Sequence, residues 1–99
     1  MAIIFDNQVG TAMSTLTLHI KAKDYAAWRP YFDAFEKNRV SAGITNARVF
    51  RKADDANDIL VLCDVADISK ARSFLTSDEL KAQMQKAGIL GAPTPYFSA

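Results

Sequence analysis

Residues 59–65, ILVLCDV, limit the fold of this chain more than any other stretch. Successive side chains of a strand point to opposite faces, so Ile59, Val61, Cys63 and Val65 fall on one side and Leu60 and Leu62 on the other. Both sides are apolar. A strand of that kind belongs in the middle of a sheet with both faces covered. Any fold proposed for the chain must therefore supply two coverings, not one.

The segments around it supply the first. Residues 15–21, TLTLHIK, alternate with Leu16, Leu18 and Ile20 on one face and Thr15, Thr17, His19 and Lys21 on the other, the period-2 pattern of a strand. Asp24 stands at an N-cap position before a helix over residues 25–42, and Gly43 is placed to end it. Tyr25, Trp28, Phe32 and Phe35 recur at steps of three, four and three and share one helical face. Pro30 interrupts that pattern, which predicts a short opening turn over DYAAW and a regular helix from Arg29 or Pro30. Residues 47–53, ARVFRKA, read as a second strand with Val49 and Phe50 as its apolar members, joined by the turn ADDAND to a strand over residues 59–66. Asp67 caps a short helix, ISKARSFL. Thr76 and Glu79 then have capping-box spacing for a helix running to Lys86 and closed by Gly88. After ILGAPTP, whose two prolines exclude regular structure, Tyr96 and Phe97 form a short last strand.

The resulting order, β-α-β-β-α-α-β, is an α+β, ferredoxin-like arrangement with a four-stranded antiparallel sheet and its helices on one face. The second covering must come from elsewhere, because a bare apolar sheet face exceeds what a monomer tolerates. A second copy provides it with the commonest oligomeric symmetry, so a homodimer is expected. Residues 14–99 make a single domain of ordinary size. Residues 1–13 are either an N-terminal extension or, through Ile3, Ile4 and Phe5, a short edge strand.

Composition excludes several classes of function. With 49% hydrophobic and 23% charged residues the chain is an ordinary globular one. Twelve Lys and Arg against eleven Asp and Glu leave +1, which offers no field for nucleic acid. No apolar run is long enough for a membrane span, and the first residues lack a secretory pattern. The single cysteine, Cys63, forms no internal disulfide and fits a cytoplasmic setting. No phosphate-binding glycine loop, zinc spacing or serine-hydrolase elbow occurs, so neither a metal nor another cofactor is expected.

DYAAWRPYFDAFEKNRVSAG, VFRKADDANDILVLCDV and KARSFLTSDELKAQMQKAGILGAP together resemble the dimeric αβ-barrel superfamily. Within it the chain is most similar to small antibiotic-biosynthesis-monooxygenase-like and cyclase-like proteins, most of them without assigned activity. The resemblance covers residues 16–97. It implies two ferredoxin-like protomers whose sheets pack into a barrel with helices outside, and in such proteins a pocket often lies between sheet and helices. It implies fold more strongly than function, since the superfamily hosts cofactor-free oxygenases, isomerases, haem enzymes and binding modules.

Individual residues then carry the functional expectations. His19, the only histidine, is the candidate general base, against the plainer reading of a surface or interface histidine. Tyr25 and Trp28 are candidate pocket residues because each joins a flat ring to a polar tip, whereas Phe32 and Phe35 serve first as core. Arg48 and Arg51 lie three apart on a strand and face opposite sides; one could clamp a carboxylate, and at least one is expected to pair with the acidic turn of Asp54, Asp55 and Asp58. Cys63 in so apolar a strand reads as buried and inert, and Met84 as core filler or a pocket wall. The set expected to hold a small-molecule ligand is Tyr25, Trp28, Phe32 and Arg51, with His19 moving the proton. Two functions fit: a cofactor-independent monooxygenase or isomerase acting on a small aromatic or enolisable metabolite, and a non-catalytic binding or stress-response module. A structural dimer without a ligand is the third.

Overall fold

The computed structural model describes residues 13–99. The extension or edge strand expected over residues 1–13 thus lies, Met13 apart, outside the described residues. Strands β1 (Ser14–Lys21), β2 (Ile44–Lys52), β3 (Asp55–Val65) and β4 (Thr94–Ser98) form one antiparallel sheet in the order β2-β3-β1-β4. Helices α1 (Tyr25–Ala34) and α2 (Glu36–Ser41) link β1 to β2, and α3 (Ile68–Leu75) and α4 (Asp78–Lys86) link β3 to β4. This is the α+β, ferredoxin-like arrangement expected, with the doubly apolar β3 as one of its two central strands.

Alternation decides what goes where. Leu16, Leu18 and Ile20 of β1 and Ile59, Val61, Cys63 and Val65 of β3 are buried together with Trp28, Ala71 and Ala87 of the helical layer. The register sets Thr17 opposite Leu62 and His19 opposite Leu60 on the other face. Among the described residues no helix lies on that face: Phe50 is 52% exposed, Leu60 38% and Tyr96 66%.

Four local expectations are corrected. Helix α1 begins at Tyr25 and runs through Pro30; the interruption comes at Phe35 instead. Asp24 holds the first turn by accepting from the Ala26 N–H, and the carbonyl that Pro30 leaves unbonded is that of exposed Ala26, within reach of water. Phe35 shares its N–H between the carbonyls of Tyr31 and Phe32, at 3.2 and 3.3 Å, and the chain turns there into α2. Second, β2 begins three residues early, at Ile44, because Gly43 (φ 77°) caps the helix and the chain enters the sheet at once. A bulge between Thr45 and Arg48, with Asn46 at φ 53°, takes up the extra residue. Third, the turn to β3 contains only residues 53 and 54, and residues 56–58 form a second irregularity inside β3. Fourth, Ser77 rather than Thr76 caps α4, accepting from the Leu80 N–H at 3.2 Å, while the Thr76 hydroxyl turns back to the Arg72 carbonyl. Gly88 closes α4 as expected, with φ 79° and the Ile89 N–H returning to the Met84 carbonyl.

Candidate functional site

A chamber of about 70 Å³ lies between the sheet and the helices. Its floor is the apolar side of β1 and β3, including Leu16, Val61 and Cys63, and its walls include Trp28 and Phe32 of α1 and Met84 of α4. A second, wider hollow of about 470 Å³ adjoins it beneath the loop 91–95. Leu18, Leu75, Met84 and Ile89 line both, so the two spaces share a boundary. The lining is almost wholly apolar. The polar members of the inner chamber are the Trp28, Tyr31 and Gln83 side chains, the Cys63 thiol and the Arg39 guanidinium, while Thr76, Lys81 and Gln85 border the outer hollow.

The aromatic stripe read from the spacing forms a ladder along α1. Tyr25 and Trp28 have ring centroids 5.7 Å apart, and Trp28 and Phe32 are 4.8 Å apart. A guanidinium stacks on each end: Arg51 lies 3.8 Å from the Tyr25 centroid, and Arg39 lies 3.8 Å from that of Phe32. Arg29 donates to the Tyr25 hydroxyl at 2.9 Å. Of the expected ligand-holding set, Trp28 and Phe32 line the chamber. Tyr25 and Arg51 belong to the same ladder at its other end, where Arg51 also donates to the Ala56 carbonyl.

His19 is not brought to this chamber. It stands on the open face of the sheet, about half exposed, hydrogen-bonded through Nε2 to the Asp58 carboxylate, with Lys21 Nζ 3.8 Å from the other oxygen. That hydrogen bond, aided by the nearby positive charges, holds the Asp58 carboxyl below the usual carboxylate range. The regular register of β1 and β3 makes the pair, because it sets Asp58 opposite Lys21, one step beyond Ile20 and Ile59. Asn57 meanwhile ties down the start of α1, accepting from the Tyr25 N–H at 2.8 Å and donating to the Lys23 carbonyl. Arg48 and Arg51 do face opposite sides, but neither pairs with the acidic turn: Arg48 meets Asp64 on the open face at 3.2 Å.

Arg39 is the chamber residue that the sequence reading passed over. It donates through Nη1 to the Phe32 carbonyl at 2.6 Å, and among the described residues no carboxylate comes within ion-pair distance of it. Burial lowers its pKa from the ordinary arginine value, and the nearby charges only partly oppose that. The signal for it was present, since position 39 follows Phe35 by four and continues the face of Trp28 and Phe32. Burial also pushes the Cys63 thiol up, with Arg39 partly countering it. Among the described residues no group of three or more His, Cys, Asp or Glu side chains could hold a metal ion. Nor is any helix there long and apolar enough to cross a membrane.

A ferredoxin-like α+β domain with an apolar chamber between its sheet and helices defines the structural class. The solved structures it resembles include a protein of the antibiotic biosynthesis monooxygenase type from Bordetella bronchiseptica, with a TM-score of 0.73, 11% identity, and coverage of 89% of this chain and 96% of that one. SnoaB, a cofactor-independent oxygenase from Streptomyces nogalater, matches with a TM-score of 0.69, 12% identity, and coverage of 89% and 92%. The ActVA-Orf6 monooxygenase of Streptomyces coelicolor, in complex with the ligand Nanaomycin D, matches with a TM-score of 0.57, 12% identity, and coverage of 93% and 90%. At such identities the likeness establishes the fold. No protein-family model and no curated protein matches the sequence.

Proposed function

We propose that the protein is a cofactor-independent monooxygenase of a small aromatic or enolisable metabolite, working as a cytoplasmic homodimer. The observation that carries this reading is the apolar chamber walled by Trp28 and Phe32 in a fold shared with a cofactor-independent oxygenase. An activated methylene that loses a proton becomes a carbanion electron-rich enough to reduce O2 directly. Recombination gives a hydroperoxide, which loses water, so that CH2 and O2 become C=O and H2O with no added reductant. A dry, preshaped space favours such a step by excluding water from the carbanion. The described lining contains no carboxylate or imidazole, so the reading calls for a substrate acidic enough to ionise on entry.

His19 on the open face is better suited to the dimer than to a ligand in the chamber. A second sheet packed there would cover Phe50, Leu60 and Tyr96 and enclose the His19–Asp58 and Arg48–Asp64 pairs. The test is oxygen uptake with anthrone, which enolises at a doubly benzylic carbon, using protein freed of flavin and metal. Uptake above the spontaneous rate, with the quinone appearing in the absorbance spectrum, is expected. A folded protein that binds anthrone without accelerating its oxidation would move the assignment to the binding module, the reading that the missing base favours.

A further inference from the structure

We infer that Arg39 is the anion-recognising residue of the chamber, and that its ligands are planar aromatic molecules carrying an acidic oxygen, a carboxylate or an ionised phenol or enol. The inference rests on the chamber being a ligand site, though not on the ligand being oxidised there.

The other arginines of the sheet and first helix show what Arg39 lacks. Arg29 is paired with Asp33 at 3.0 Å and Arg48 with Asp64, while Arg51, which also has no carboxylate partner among the described residues, is exposed to water. Arg39 is further buried, yet the Phe32 carbonyl takes only one of its five N–H donors, and the other four have no hydrogen-bond acceptor among the described residues. Its Cζ lies 3.8 Å from the Phe32 ring centroid while Nη1 is tied to the Phe32 carbonyl, so the guanidinium is held at two points rather than swinging in solvent. The neighbouring Cys63 thiol, with its pKa raised by burial, stays neutral near pH 7 and provides no counter-charge. A partly buried cation without an anion is a cost that a bound oxyanion would offset, and guanidinium fits such an oxygen pair in a bidentate way.

Shape sets the remainder of the ligand. Arg39 lines only the inner chamber, whereas Met84, Leu18, Leu75 and Ile89 line both spaces. The inner 70 Å³ is smaller than the cavity of about 150 Å³ that holds benzene, so a ring anchored at Arg39 must extend past Met84 into the outer hollow. The acidic oxygen therefore sits at the inner end, and the fused or extended part of the molecule lies outward.

Trp28, the only tryptophan, lies in the chamber wall and reports occupancy by its fluorescence. We would titrate the full chain at pH 7 with 2-naphthoate, with neutral 2-naphthalenemethanol and with 2-naphthol. About tenfold tighter binding of naphthoate than of the neutral alcohol is expected, as for a charge-assisted hydrogen bond. The preference of naphthoate over the alcohol should vanish in Arg39→Gln. Naphthol bound as naphtholate, visible by its red-shifted absorption, would extend recognition to phenolates; naphthol bound neutral would confine it to carboxylates, and either agrees with the inference. Equal binding of naphthoate and alcohol by the native protein would overturn it while leaving the chamber a ligand site. A preference that persists in Arg39→Gln would overturn it too. If neither compound binds, both this inference and the ligand-site reading fall. The native preference needs no variant, so a poorly folding Arg39→Gln would not blunt the test.

Discussion

The two faces of the sheet are built from the same strands and do opposite work. On the helical side, Leu16, Ile59, Val61 and Val65 are all but inaccessible, and the surrounding layer leaves an inner chamber with Arg39 in its wall, adjoining the outer hollow. On the open side the same strands present a mixture: Leu60, Phe50 and Tyr96 stand partly exposed among the His19–Asp58 and Arg48–Asp64 pairs. A one-residue step along β3 passes from one to the other. The first face holds the fold together and encloses the chamber; the second carries the apolar surface that the proposed second copy would cover.

Adjacent substitutions in β3 separate the faces most sharply. Val61→Asp places an unpaired carboxylate in the helical layer, at a cost of roughly 3–5 kcal/mol or more, a large part of a small domain's stability. Loss of the thermal transition by circular dichroism is the expected result. Leu62→Asp, next in sequence but on the open face, should leave that transition in place and weaken the proposed dimer by about 100-fold, read by sedimentation against concentration. A dimer unaffected by Leu62→Asp would mean that the open face is not the interface. Leu16→Ala should cost about 2–4 kcal/mol in urea unfolding. Leu60→Ala, measured on the monomer, should cost no more than about 0.5 kcal/mol.

A smaller effect is expected at the bulge that keeps Arg48 on the open side. Asn46 sits at φ 53° and donates to Asp64 at 3.1 Å. Asn46→Val puts a β-branched residue into the left-handed region and should cost about 1–3 kcal/mol. Asn46→Gly loses only the hydrogen bond and should cost about 0.5–1.5 kcal/mol. Equal losses would show that the side-chain bond, not the backbone, holds the bulge.

What could be read from the chain follows from how local each signal is. The two-faced β3, the aromatic stripe of α1 and the stop at Gly88 depend on spacing within one element, and the structure has them where the spacing puts them. His19's separation from Trp28 was implicit too, since Leu16, Leu18 and Ile20 pack on the helices and odd-numbered neighbours must then face away. Its partner was not, because the β1–β3 register that sets Asp58 opposite Lys21 joins residues far apart in the chain, and residue 58 reads as turn rather than strand. Thr76 and Ser77 are adjacent hydroxyls with equal claims to the α4 cap, a choice made by how α3 ends. Arg39 occupies an apolar-stripe position, but a charge on a helix reads as solvated until the neighbouring carboxylates are known to point elsewhere.

The weakest effects concern pH, and they assign one titrating group to each face. Asp58 on the open side is held low chiefly by the hydrogen bond from His19. Its unfolded counterpart takes up a proton near the ordinary value of about 3.9 while the folded group stays charged, so the unfolded chain binds more protons and stability drops as pH falls. The contribution is complete above that value and gone below the folded one. Cys63 on the helical side is shifted the other way by burial. Above about 8.5 the unfolded thiol ionises while the folded one stays neutral, so stability drops as pH rises. Urea midpoints across pH should therefore show an acid limb flattened by Asp58→Asn or His19→Gln and an alkaline limb flattened by Cys63→Ala. Arg39→Gln removes the cation that partly restrains the Cys63 shift, so the alkaline limb should begin at the same pH but run further and deeper, without touching the acid one. An acid limb that moved with Arg39→Gln would mean that charge on one face is felt on the other, and the sheet would no longer separate ligand chemistry from assembly.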